Sequence, residues 1–399
     1  MTKSPLLPIF LIVLVDILGL SIILPLLPFY AEKMGATPFV VGLLVATYAA
    51  CTLIAGPPLG HISDRVGRRP VLLVSQAGTF IGFLILAYAQ SLWMVFLSRT
   101  IDGLTAGNLS LAQAYISDVT KPENRAKAFG IIGIAFGVGF LIGPAISGFL
   151  SQFGYQYPIF AAAGLSATSI VATYFLLPGD SHLQGKHSAE TDGPPPPGGN
   201  RLGLLDWGNY ARYFRKPELG GLLWEFFLFA FAFATFFSGF ALFAERRFSI
   251  DGIPFGPKQV GYIFAYVGLL GIIMQGGLIG RLVRRFGERK LVSAGMLSAT
   301  VGNLLLGFTY RVPQLLMVST LSAFGNGVLR PALTSMITQR AARQEQGVVL
   351  GLTQSLMSVA QIVAPIIVGL LINHGLLTTW AVLAAVITAV GFVVGATHV

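Results

Sequence analysis

Long apolar runs alternate with short polar breaks along almost the whole chain. A run of about 20 apolar residues crosses roughly 30 Å of hydrocarbon as a helix. That criterion predicts twelve membrane-spanning helices, at approximately 6–30, 38–60, 70–88, 91–117, 127–150, 156–177, 219–245, 258–283, 289–309, 313–338, 345–373 and 376–396. The one long polar stretch runs from Pro178 to about Glu218 and contains Pro194-Pro-Pro-Pro197-Gly198-Gly199, a linker composition. The predicted division is a six-helix bundle over 1–177, a cytoplasmic linker over 178–218 and a second six-helix bundle over 219–399.

A repeat supports the division. The charged loop Gly60-His-Ile-Ser-Asp64-Arg65-Val-Gly67-Arg68-Arg69 lies between the second and third runs. A degraded copy, Gly280-Arg-Leu-Val-Arg284-Arg285-Phe-Gly287-Glu288-Arg289, lies between the eighth and ninth. Gly130, Pro144 and Gly148 of the fifth run recur as Gly351, Pro365 and Gly369 of the eleventh. The two repeats have nearly the same offset, as expected of a duplicated bundle.

Composition agrees with a membrane protein and adds an orientation. The 399 residues are 54% hydrophobic and 11% charged, with a mean hydropathy of +0.75; in soluble domains about a quarter of residues are charged. The net charge of +10 is no sign of nucleic acid, because the basic residues cluster at run ends, as the positive-inside rule requires. With the N-terminus inside, nineteen of the 26 Lys and Arg fall in inside loops, among them Lys3, Lys121, Arg125, Lys127, Lys186, Arg201 and Arg343. Five fall outside: Lys33, Arg246, Arg247, Lys258 and Arg311. Both termini and the linker are therefore expected in the cytoplasm of a multi-pass cell-membrane protein. The first run is of span length and lacks a small-residue cleavage site, so it reads as a helix rather than a leader. A single cysteine, Cys51, excludes an internal disulfide, and five scattered histidines give no metal spacing. The absence of a Gly-Lys-Ser/Thr phosphate loop argues against ATP coupling, and no catalytic constellation is present.

Four motifs resemble the major facilitator superfamily, and within it the twelve-span drug/proton antiporters close to the tetracycline efflux proteins. They are Asp16-Ile-Leu-Gly19 followed by Pro25-Leu-Leu-Pro28, the loop at Gly60–Arg69, Arg99-Thr-Ile-Asp102-Gly103-Leu-Thr-Ala-Gly107, and Gly139-Phe-Leu-Ile-Gly143-Pro144-Ala-Ile-Ser147-Gly148. The last departs from the antiporter signature where Ser147 replaces a glycine. The resemblance implies an all-α fold of two pseudo-symmetric six-helix bundles, alternating access, a monomer, and proton-driven transport of a small molecule without a cofactor.

The loop residues Gly60, Asp64, Arg65, Gly67, Arg68 and Arg69 have two readings. One is plain anchoring at the cytoplasmic face. The other, implied by the resemblance, is a latch that stabilises one of two conformations. It is expected to be one-sided, because Arg284 stands where Asp64 would be. Gly60 is expected to end a helix and let helices approach. Gly139, Gly143 and Ser147 recur at four-residue spacing and so share a helix face that a partner can approach closely. Pro144, which lacks an N–H, is expected to kink that helix. Together they predict a tight seam between the bundles.

Ionisable groups inside spans carry the sharpest signal, since each costs roughly 2.5–3.5 kcal/mol at mid-bilayer. Asp16 lies near mid-depth. Desolvation favours the protonated form of a carboxyl, which makes Asp16 a candidate proton carrier, and the tetracycline exporters also carry an acid at this place. Arg99 and Asp102, three apart, share a face: either they satisfy each other, or Arg99 senses proton occupancy at Asp16, the role implied by the resemblance. Glu225 either binds a cationic substrate or reaches the interface. Arg330, in Gly325-Asn326-Gly327-Val-Leu-Arg330-Pro331, either snorkels or faces a cavity and meets an anionic or polar group. Asn108, Gln113, Tyr115, Gln275, Asn326, Gln354 and Gln361 are candidate pathway residues whose alternative is interhelical hydrogen bonding. A few of the seventh span's phenylalanines, Phe233 among them, are candidates for an apolar substrate wall.

The expected function is export of small amphipathic compounds in exchange for protons. The alternatives are a symporter or facilitator of a metabolite, such as an anion met by Arg330, and a non-transporting receptor or scaffold.

Overall fold

The computed structural model describes residues 6–120, 122–177, 212–342 and 345–397. The proline-rich stretch with Lys186 and Arg201, together with Lys3, Lys121 and Arg343, lies outside the described residues, as do the side chains of Arg125 and Lys127. The predicted spans are all represented by helices. These are α1 (Leu6–Lys33), α2 (Pro38–Val66), α3 (Arg68–Ala87), α4 (Leu92–Thr105), α5 (Asn108–Val119), α6 (Pro122–Leu150) and α7 (Gln156–Leu176) in the first half. The second half has α8 (Gly220–Arg247), α9 (Pro257–Ile273), a π-helical turn (Met274–Leu278), α10 (Ile279–Phe286), α11 (Glu288–Leu306), α12 (Val312–Arg340), α13 (Gln346–Asn373) and α14 (Leu377–Thr397). Ten of the helical segments are individually long and apolar enough to cross a membrane. The fourth span falls short because it is broken into α4 and α5. The ninth, α11, opens with Glu288, Arg289 and Lys290.

Helix starts follow local chemistry. Pro38, Pro257 and Pro313 sit in first turns, where the missing N–H is an orphan anyway. Thr37 caps α2 by accepting from the Val40 amide at 3.4 Å. Between α8 and α9 the chain makes a two-residue hairpin, Ser249–Ile250 against Ile253–Pro254. Its turn residues Asp251 and Gly252 have φ of 52° and 79°, as a type I′ turn requires.

The apolar core divides unevenly. At the end of the molecule away from the charged loops, one core joins both halves: Ile22, Leu26, Phe29 and Leu44 of the first with Phe240, Phe243, Phe264 and Trp380 of the second. At the loop end there are two cores, one within the first half around Ile12, Leu111 and Tyr115, and one within the second around Phe226, Leu329 and Val349. The halves are thus sealed together at one end and separate at the other. An ion pair between Arg246 of α8 and Glu32 of α1, at 2.5 Å, adds to the sealed end.

Two matching seams hold that end. A side chain at Gly261 of α9 would collide with the Pro144 carbonyl of α6, and one at Gly42 of α2 would collide with the Pro365 carbonyl of α13. Gly148 likewise lies against Lys258, and Gly369 against Pro38 and Phe39. The sequence repeat Pro144/Gly148 and Pro365/Gly369 is therefore a pair of equivalent cross-half contacts. Backbone approach of this kind requires small residues. The other half of the predicted seam is corrected: Gly139 and Gly143 face α1 of their own half, where side chains would meet Ile17 and Ser21. Ser21 Oγ donates to the Gly139 carbonyl at 2.9 Å. α6 runs through Pro144 as one helix.

Candidate functional site

The break in the fourth span positions its charged residues. Ala106 and Gly107 leave the helix between α4 and α5, and Ser75 of α3 bridges the gap. Ser75 Oγ donates to the Thr105 carbonyl and accepts from the Gly107 amide at 2.9 Å. Above the break, Arg99 and Asp102 form an ion pair at 3.2 Å with each side chain only 4% exposed. The guanidinium lies between the rings of Tyr48, at 6.0 Å, and Phe83, at 5.8 Å. Its Nε donates to Ser98 Oγ at 3.2 Å, while Nη2 is buried with no hydrogen-bond partner. α3 can approach because Gly82 has no side chain: a Cβ there would stand 3.1 Å from the Asp102 Cβ.

Asp16 sits in the middle of α1 and joins the same cluster from the other side. Its carboxylate faces Ser169 of α7 and Gln76 of α3 and lies in the field of Asp102. Gln76 Nε2 donates to Ser169 Oγ at 2.8 Å, and Ser166 Oγ donates to the Gln76 carbonyl at 3.3 Å. Asp16 Oδ1 and Gln76 Oε1 are both buried and without a hydrogen-bond partner. With every group ionised the cluster holds two carboxylates against one guanidinium, and a single added proton brings it to neutrality. Gln76, Ser169 and Tyr48 were not among the sequence candidates. A glutamine inside an apolar run is the one signal that could have marked Gln76, since such a group needs partners once it is buried.

The substrate candidates do not form one constellation. Glu225 is buried in the contact of α8 with α11 and α14, where Arg289 donates to its Oε2 at 2.8 Å; a side chain at Gly395 would strike this pair. Asn108 opens α5 with its Oδ1 buried and unpartnered. Gln113 and Gln354 are exposed, on helices of opposite halves. Phe233 is half-buried and stacked on Phe237 at 5.6 Å. Asn326 lies one turn before Arg330 on α12, and Arg330 is exposed, with its guanidinium 6.0 Å from the ring centre of Phe136 on α6, across the halves.

The loop is a tie among three helices. Arg68 opens α3 and meets Asp64 of α2 at 2.7 Å and Asp118 of α5 at 3.0 Å. Its Nη1 donates to Ser63 Oγ at 2.6 Å. Arg69 donates to the Tyr174 carbonyl of α7 and lies over that ring at 5.5 Å. Arg65 is exposed. Gly67 joins α2 to α3 with φ 105°, a conformation that favours glycine. Gly60 differs from expectation: α2 continues to Val66, and a side chain at Gly60 would enter open space. In the second copy Gly287 takes φ 80°, Arg284 is exposed, and Glu288 opens α11. Glu288 accepts from Ser335 at 2.6 Å and from Gln339 at 3.2 Å, both near the end of α12. The tie recurs, with donor and acceptor exchanged.

Comparison with known proteins gives the same frame. The family model for the Major Facilitator Superfamily matches residues 9–284 and 257–398. The tetracycline resistance protein, class E, of Escherichia coli is 32% identical over 89% of this chain and 85% of its own length. Multidrug resistance protein 2 of Bacillus subtilis is 27% identical over 90% and 87%. The fold is shared with the human organic anion transporter TETRAN, at a TM-score of 0.69, 23% identity and 98% of both chains. It is shared too with the nucleoside transporter NupG, at 0.76, 14% and 99% of both. With its repeated loop tie, paired glycine–proline seams and near full-length matches, the chain belongs to the Major Facilitator Superfamily, and it is a membrane transporter of small molecules.

Proposed function

We propose that this transporter exports small amphipathic compounds in exchange for protons. The observation that carries the reading is the buried cluster of Asp16, Arg99 and Asp102, which is one proton short of neutrality and holds unpartnered polar atoms on both Asp16 and Arg99. An unbalanced carboxylate held away from water is expensive, and a proton relieves that cost. The relatives named for tetracycline and multidrug resistance support export as the direction.

In this scheme the units are 1–177 and 219–399, joined by a cytoplasmic linker over 178–218, with both termini in the cytoplasm. The protein works as a monomer in the cell membrane, without a cofactor, on the proton gradient alone. The conformation described here is the one open to the cytoplasm. Substrate enters between the separated cores. The halves then rock about the two glycine–proline seams, and substrate leaves to the outside as Asp16 takes a proton. Return to the cytoplasmic side releases that proton. Arg99 couples the two events, because its attraction to Asp102 strengthens or relaxes with the charge on Asp16. The loop ties at Arg68 and Glu288 act as latches that hold each half's third and fourth helices together as it moves.

A thermal-shift screen of amphipathic compounds on the purified protein at two pH values tests the reading. A substrate that competes with a proton stabilises more at the higher pH. Equal or opposite shifts across every stabilising compound would remove the antiport scheme.

A further inference from the structure

Arg330 is the unbalanced charge of the second half. It lies inside α12, is exposed, and points its guanidinium at Phe136 of the opposite half. Among the described residues no carboxylate pairs with it, whereas Asp102 is taken by Arg99 and Glu225 by Arg289. Asp16 faces α3 and α7 instead.

An aromatic wall begins where Arg330 ends. Phe136 stacks on Phe140, with centroids 6.3 Å apart and planes 11° apart. Phe140 meets Phe237 of α8 edge-on at 6.1 Å, and Phe237 stacks on Phe233 at 5.6 Å. All four rings are half-buried, so each keeps some surface uncovered. They lie where the two halves face each other, between the sealed end and the separated cores.

The geometry points to a binding site between the halves for a planar aromatic compound bearing an acidic group. Arg330 takes the anion, and Phe136 and Phe140 take the ring. A guanidinium offers a planar fork of donors that matches a carboxylate. Aromatic faces accept a flat apolar body by stacking. A cationic compound of the same shape meets a fixed like charge, which selects against it. This deepens the export reading and rests on it only for the direction of transport; the preference for an acidic over a neutral or cationic compound is set by Arg330, not by the proton on Asp16.

The test uses pyrenebutyrate, its neutral amide and pyrenebutylammonium, bound to the purified full-length protein and measured by calorimetry and by pyrene fluorescence. The carboxylate is expected to bind about ten- to a hundredfold more tightly than the amide, the range of a hydrogen bond to a charged group, and the ammonium more weakly still. Arg330→Gln, checked for an unchanged melting temperature, removes that preference, and Arg330→Lys retains part of it. Phe136→Ala weakens all three compounds without changing their order. Tighter binding of the ammonium, a preference that survives Arg330→Gln, or no binding of any probe overturns the proposal. Asp16→Asn separates the two readings. It leaves the carboxylate preference intact while removing proton coupling, so failure of either claim is visible without the other.

Discussion

Arg68 and Glu288 occupy the same place in the two halves and solve the same problem with opposite charge. Arg68 donates to Asp64, Asp118 and Ser63, while Glu288 accepts from Ser335 and Gln339. What duplication kept is the tie between the start of the third helix of each half and the end of the fourth, together with the positive-φ glycine that aims it. What it did not keep is the charge. The same divergence appears deeper in the bilayer. The first half buries an unbalanced set, Asp16 with Arg99 and Asp102. The second holds a balanced pair, buried Glu225 with half-buried Arg289, and leaves Arg330 alone toward the space between the halves. Frame and chemistry have separated: the frame is symmetric, and the titratable burden lies in the first half.

The largest expected effect contrasts the fully buried pair Arg99–Asp102 with the partly exposed pair Glu225–Arg289. Arg99→Leu strands Asp102 with Asp16 nearby and should cost about 3–5 kcal/mol of stability, the penalty for breaking a fully buried pair. Glu225→Gln should cost less, about 1–3 kcal/mol, because Arg289 is 27% exposed and reaches water. Chemical unfolding in detergent measures both, and equal losses would erase the contrast. A smaller effect, the same in both halves, is expected at the loop glycines. Gly67→Ala and Gly287→Ala force an L-residue into an extended backbone with positive φ (φ 105°, ψ 155° and φ 80°, ψ 157°) at about 1–3 kcal/mol each. A clear difference between them would mean that the frame is not symmetric after all. Smallest in stability are the ties themselves. Arg68→Ala and Glu288→Gln should each cost under about 1 kcal/mol, since partly exposed pairs contribute little. Both should slow turnover more than they weaken substrate binding, with Arg68→Ala the slower because it loses two carboxylates. Weakened binding with unchanged turnover would move the loop into the binding site.

Much of this frame was legible in the sequence, and the reasons differ by element. Span positions follow from local apolarity, so α1, α7 and α13 agree with expectation to within a few residues. The pseudo-symmetry was legible because Pro144/Gly148 and Pro365/Gly369 repeat. Their partners Gly261 and Gly42 were not, since nothing in the local sequence says which glycine a distant carbonyl will approach. The break at Ala106–Gly107 was hidden for the same reason: it contains no proline and is held by Ser75 from another helix. At Gly60 the residue type alone suggests a close approach, and its surroundings are open. At the candidate site Asp16, Arg99 and Asp102 stood out as charges in apolar runs. Gln76 and Ser169 did not, because a single polar residue in a span usually makes an ordinary interhelical bond. Their meeting with Asp16 is a fact of three-helix packing.

The central claim is that the proton is carried by the unbalanced cluster of the first half, through Asp16. The most direct measurement is uphill transport in sealed vesicles with an imposed pH gradient, using the compound that gives the largest stabilisation in the ligand screen. Wild-type protein should accumulate the compound against its gradient and move protons the other way. Asp16→Asn, shown to be folded and to bind the compound, should do neither. Uphill, proton-dependent accumulation by that variant would contradict the account.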